Sequence, residues 1–118
     1  MIQCAKKGKR YSEQVTDSFV DVAEVASLQP GKGRTVEVRG RRFALFNIEG
    51  TFHAIEDACP HRGGPLGVGW LEGCKVHCPL HGWGFDVRTG ACDVRPDRPV
   101  KCFPVEVRGN QVWLNPEA

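Results

Sequence analysis

Two segments of this chain repeat one pattern. Cys59-Pro60-His61-Arg62-Gly63-Gly64-Pro65-Leu66 and Cys78-Pro79-Leu80-His81-Gly82-Trp83-Gly84 each run Cys-Pro, then His, then Gly. The reactive pairs are Cys59-x-His61 and Cys78-x-x-His81, with sixteen residues between them. Each pair is short enough for both side chains to reach one metal centre from one loop. Proline after each Cys restricts that Cys to extended backbone. Glycine admits tight turns and lets backbone N–H groups approach sulfur. Such a chain must present two stiff loops side by side at one end of a scaffold.

The scaffold reads as β-structure. The chain has 118 residues, one domain's worth, and 22 of them are Gly or Pro, a share that suits short strands joined by turns. Phe19, Val20, Val22 and Val25 suggest a first strand ending at Leu28-Gln29-Pro30-Gly31. Thr35–Val38, Arg42–Ile48 and Thr51–Glu56 read as further strands, joined by turns at Arg39-Gly40 and Glu49-Gly50. The stretch from Cys59 to Gly90 holds eight Gly and reads as loops up to a short strand at Trp83–Val87. Val100–Val107, interrupted by Pro104 at an edge or bulge, and Gln111–Leu114 complete the pattern. The expected fold is all-β, a small antiparallel sandwich or barrel with two metal-binding loops at one end. Residues 1–17 read as a flexible leader and residues 18–118 as the domain.

Charge and hydropathy narrow the function. Sixteen basic against fourteen acidic residues leave +2, too weak a bias for a nucleic-acid binder. The apolar run Phe19–Leu28 is broken by Asp21 and Glu24 and falls short of the ~20 residues a bilayer needs. The basic cluster Lys6–Arg10 is followed by polar residues, not by a signal-peptide core. The expectation is a soluble cytoplasmic protein that engages neither membrane nor nucleic acid. There, six Cys point to metal or redox chemistry more than to disulfides.

Two metals suit the four ligands. A Cys2His2 set can hold a tetrahedral structural zinc. It can also hold a two-iron cluster with Cys on one iron and His on the other. Zinc sites usually draw Cys with Cys and His with His from each segment. Here each loop gives one of each, which suits a binuclear centre spanned by both loops.

At these residues the chain resembles the Rieske iron–sulfur family, from about Phe19 to Leu114. The resemblance implies one [2Fe–2S] cluster per chain, ligated by Cys59, His61, Cys78 and His81, on a small antiparallel β-fold. It implies a proline-rich covering loop at Arg95-Pro96-Asp97-Arg98-Pro99. Leu66, Trp83, Pro96 and Pro99 are the expected cluster shields. Members of cytochrome bc-type complexes carry an inter-loop disulfide at positions held here by Gly64 and Leu80, and hydroxyl donors at positions held by Trp83 and Phe85. This chain is therefore more similar to soluble ferredoxins of ring-hydroxylating oxygenase systems and to the Rieske-type small subunit of nitrite reductase.

The resemblance makes the expected activity one-electron transfer, from a flavin-dependent reductase to a terminal oxygenase. The alternative is a fixed subunit on a nitrite reductase large subunit. A terminal oxygenase needs a further iron site of two His and a carboxylate, and the only other histidines are His53 and His77. With two neutral His ligands the oxidised centre is formally neutral and reduction takes it only to −1. Rieske centres span roughly −150 to +300 mV, and a centre without hydroxyl donors belongs near the low end.

The remaining candidates read as structural. His53 is expected at the surface or core edge. His77 is expected to point away from neighbouring Cys78, since adjacent strand residues face opposite ways. Cys4 reads as a free thiol, and Cys74, Cys92 and Cys102 as small apolar fillers. Trp70, Trp113, Phe43, Phe46 and Phe103 read as core. Arg62 and Arg98 read equally as solvated surface and as a basic rim for an acidic partner.

Overall fold

The computed structural model describes residues 18–60, 63–80 and 82–117. Strand β3 (Arg41–Ile48) sits at the centre because its middle is apolar on both faces. Phe43 and Leu45 enter one core, while Ala44 and Phe46 enter a second. Strand β4 (Thr51–Glu56) divides the same way, with Phe52 and Ala54 on one face and Ile55 on the other. Strands β2 (Lys32–Val38), β3, β4 and β8 (Cys102–Phe103) form an antiparallel sheet in the order β2-β3-β4-β8. That sheet is packed on both sides.

The first core is closed by β1 (Val20–Glu24), β10 (Gln111–Leu114) and β9 (Val105–Arg108), paired in the order β1-β10-β9. Val105, Val112 and Leu114 supply its far wall. The second core is closed by β5 (Trp70–Glu72), β6 (Lys75–His77) and β7 (Gly84–Asp86), in the order β5-β6-β7. Val76, Phe85 and Val87 fill it together with Leu66, Cys59 and Cys78. Both cysteines of the repeated pattern thus belong to one core and one end of the molecule.

The turns at Arg39-Gly40 and Glu49-Gly50 are as the sequence suggests. All four residues have positive φ, the geometry of a two-residue hairpin turn that follows the strand twist. Pro104 marks an edge as expected: it lies between two edge strands, where the chain leaves the central sheet after β8 and joins the outer sheet at β9. Other readings need correction. The stretch between the two cysteine segments is not all loop, since β5 and β6 form a hairpin there. Trp70 is not core, being 51% exposed, and Trp113 is only half-buried beneath the Arg108 guanidinium, 4.7 Å from its ring centre. Phe43, Phe46 and Phe103 are core as expected. His53 is buried beyond the expected core edge, and its Nδ1 has no hydrogen-bond partner. The expected leader, residues 1–17 with Cys4, lies outside the described residues.

Candidate metal centre

Cys59 and Cys78 are buried, 2% and 0% exposed. Each begins a turn of the same construction. The Cys59 N–H donates to the Gly64 carbonyl at 2.9 Å, and the Gly63 N–H donates back to the Cys59 carbonyl at 2.6 Å. The Cys78 N–H donates to the Trp83 carbonyl at 2.8 Å, and the Gly82 N–H donates back to the Cys78 carbonyl at 2.9 Å. In both turns the Cys bonds to the residues four and five positions later. The fourth is a glycine at positive φ, +75° for Gly63 and +80° for Gly82. A side chain there would impose the left-handed strain that glycine avoids. The sequence repeat is therefore a structural repeat. His61 and His81, bracketed by these turns in sequence, lie outside the described residues, as does Arg62.

The two turns face each other. A Cβ on Gly64 would stand 2.8 Å from the Cys78 sulfur and 3.0 Å from the Leu80 side chain. Loop 1, residues 57–67, is held at its neck by Asp57, which the sequence reading overlooked. Its Oδ1 accepts the Gly67 N–H at 2.8 Å and the Thr35 hydroxyl at 2.9 Å, while its carbonyl accepts the Leu66 N–H at 2.6 Å. The carboxylate is 3% exposed, so these bonds are made away from water. A lone Asp before Cys59 resembles a solvated loop residue. Its one sequence signal is its place directly after an apolar strand.

The expected shields divide. Leu66 is fully buried beside both cysteines, and Trp83 is half-buried against the same core. Pro96 and Pro99 are exposed. Their segment is stiffened by a two-bond fork from Arg95 to Asp97, at 3.0 and 2.8 Å. Its contact with loop 1 comes from Arg98, whose guanidinium donates to the Pro60 carbonyl at 3.3 Å. Arg98 thus ties the proline segment to loop 1 rather than being simply solvated. Among the other cysteines, Cys92 is a free buried thiol whose sulfur accepts the Arg95 N–H at 3.3 Å. Cys102 is disulfide-bonded, which corrects the reading of it as a filler, and free Cys92 is not its partner.

Two buried cysteines on matched, glycine-closed turns are a fitting donor set for a soft metal centre. The β-scaffold with this two-loop tip defines a small all-β domain that presents a paired-cysteine site at one end. Comparison gives the family: residues 18–104 match the Rieske [2Fe-2S] domain, and the chain belongs to that family. Members bind one [2Fe–2S] cluster, the cofactor of this chain. The ferredoxin component of the naphthalene 1,2-dioxygenase/salicylate 5-hydroxylase systems of a Ralstonia species is 33% identical over 104 residues, covering 87% of this chain and 100% of that protein. The ferredoxin of carbazole 1,9a-dioxygenase from Nocardioides aromaticivorans IC177 superposes with a TM-score of 0.80 at 30% identity, over 86% of this chain and 100% of that one. A chain in a complex of reduced oxygenase and oxidised ferredoxin in carbazole 1,9a-dioxygenase superposes at 0.78 and 32% identity, over 85% and 94%.

Proposed function

We propose that this protein is a one-electron carrier between a flavin-dependent reductase and a terminal oxygenase, with Cys59 and Cys78 on one iron and His61 and His81 on the other. The observation that carries the reading is the matched pair of cysteine turns on a chain that spans the whole length of a dioxygenase-system ferredoxin. The cluster supplies a single-electron couple; the residues around it do the rest. Cys59 and Cys78 bring the anionic sulfur donors to one end of the second core. Leu66, Phe85 and Trp83 keep water from that side. Asp57 and the glycine-closed turns hold the loops fixed, so the donor positions need little rearrangement when charge changes. Exposed Leu80, 57% accessible in the second cysteine turn (loop 2, residues 78–83), and Arg98 on the proline segment offer a small mixed surface for a transient partner.

Anaerobic titration of the purified protein with dithionite tests the carrier reading. The expected result is uptake of one electron per two irons with bleaching of the visible bands. A colourless protein with stoichiometric zinc contradicts it. Capture from host lysate then tests the partners. An oxygenase and a flavin reductase released by salt fit a carrier, whereas a nitrite reductase polypeptide retained at high salt contradicts it.

A further inference from the structure

One side chain beside loop 2 has three fixed contacts that metal ligation does not account for. His77 ends β6, next to Cys78 in the chain. Its ring stacks on the Trp70 indole, with centroids 5.0 Å apart and planes 13° from parallel. Its Nδ1 lies 3.1 Å from the Gly82 carbonyl oxygen, and its Nε2 lies 2.7 Å from Oε1 of Glu72. Trp70 and Glu72 belong to β5, and Gly82 belongs to loop 2. One imidazole therefore joins the β5–β6 hairpin to the far side of the loop.

The backbone around the ring is fixed as well. The Gly82 N–H is committed to the Cys78 carbonyl at 2.9 Å, so both polar groups of Gly82 are held. Gly82 is the residue that follows His81. On the other side, Gly69 packs against the end of β6, where a Cβ would stand 2.0 Å from the His77 carbonyl oxygen. His77 faces the surface, as the alternation rule requires, yet its side chain is only 14% exposed because Trp70 covers it.

We propose that His77 is a positioning residue for the metal centre: it holds the Gly82 carbonyl, and with it the loop segment that carries His81, while Trp70 and Glu72 hold the ring. The inference rests on His81 being a ligand. Groups just outside the ligand set orient the ligands and tune a centre's electronics. With its hydrogen on Nδ1, His77 also draws negative charge away from a carbonyl of the turn that begins at Cys78, which would favour the reduced state of a cluster bound there. A residue that only packed a hairpin would affect stability and nothing else.

The test is His77→Phe in the cluster-loaded protein, since Phe keeps a ring for Trp70 and removes both nitrogen contacts. The expected result is a changed EPR g tensor and visible circular dichroism, with a lower midpoint potential and wild-type iron and sulfide per chain. His77→Gln, which keeps an amide donor, restores most of the wild-type signal. Trp70→Leu, which removes the stack and no hydrogen bond, shifts it less in the same direction and decides the matter should His77→Phe not accumulate. Wild-type spectra and midpoint in these variants, whatever their Tm, overturn the inference alone. A wild-type protein whose reduced cluster shows no coupling to two nitrogen ligands overturns the ligand assignment and this inference with it.

Discussion

Gly64 of loop 1 stands against the sulfur of Cys78 in loop 2, so closely that a Cβ would come within 2.8 Å of it. The nearest atoms are the sulfur itself and the Leu80 side chain, and the sulfur belongs to a fully buried residue whose backbone is bonded at both ends of its turn. Gly64→Ala therefore pushes the two loops apart at the metal centre. The expected outcome is a folded β-scaffold with several-fold less iron per chain, read by metal analysis and far-ultraviolet circular dichroism. Wild-type iron content in the variant would show that the loops do not meet there.

Asp57 sets the neck of loop 1. Asp57→Ala removes the acceptor for the Gly67 N–H and the Thr35 hydroxyl. Hydrogen bonds to a charged acceptor contribute about 1.5–3 kcal/mol, so the expected loss of stability is about 3 kcal/mol. Asp57→Asn retains an acceptor oxygen and loses less. Denaturant unfolding of the metal-free proteins measures both. A loss below about 0.5 kcal/mol for Asp57→Ala, the range of ordinary surface substitutions, would contradict the neck assignment.

Burial is the main cause that lowers the His53 pKa below its ordinary value, and the nearby Arg88 adds to it while Asp86 opposes. The folded state therefore resists protonation that the unfolded state accepts. His53 contributes its full stability above the unfolded pKa of about 6.5, and that contribution is lost as pH falls below it. The Tm of the wild type should fall more steeply than that of His53→Leu between about pH 7 and pH 5. Parallel curves would mean that His53 takes up a proton as easily in the fold as out of it.

Phe85 is fully buried in the core beside both cysteines and offers no hydroxyl to their sulfurs. With the cluster's sulfur charge not drawn off by such donors, the midpoint belongs near the low end of the roughly −150 to +300 mV Rieske range. Protein-film voltammetry measures it directly. A value above about +100 mV would contradict this reading of the surroundings.

The parts of the fold that were legible rest on local chemistry. Phe43 to Phe46 and Phe52 to Ile55 announce buried strands, and Arg39-Gly40 and Glu49-Gly50 announce their turns. The Cys-Pro pairs with their glycines are legible because bond lengths alone limit where two side chains on so short a loop can reach. What escaped depends on partners distant in sequence. Strands β5 and β6 have three residues each, too few to show a period. Trp70 reads as core by its size, yet it is exposed because its face is satisfied by His77. Pro104 reads as an interruption, and only the pairing of β8 with β4 and of β9 with β10 shows that the chain changes sheets there. Asp57 has partners 10 and 22 residues away on opposite sides of it, a relationship no local pattern contains.

The central claim is that one cluster is held by two thiolates and two imidazoles from these matched turns. Electron–nuclear double resonance on the dithionite-reduced protein, with and without 15N-labelled histidine, tests it most directly. The account predicts two strongly coupled histidine nitrogens in the wild type and no such pair in His81→Cys. A reduced cluster with no histidine nitrogen coupled to it, or a wild-type protein that holds zinc in place of iron, would contradict it.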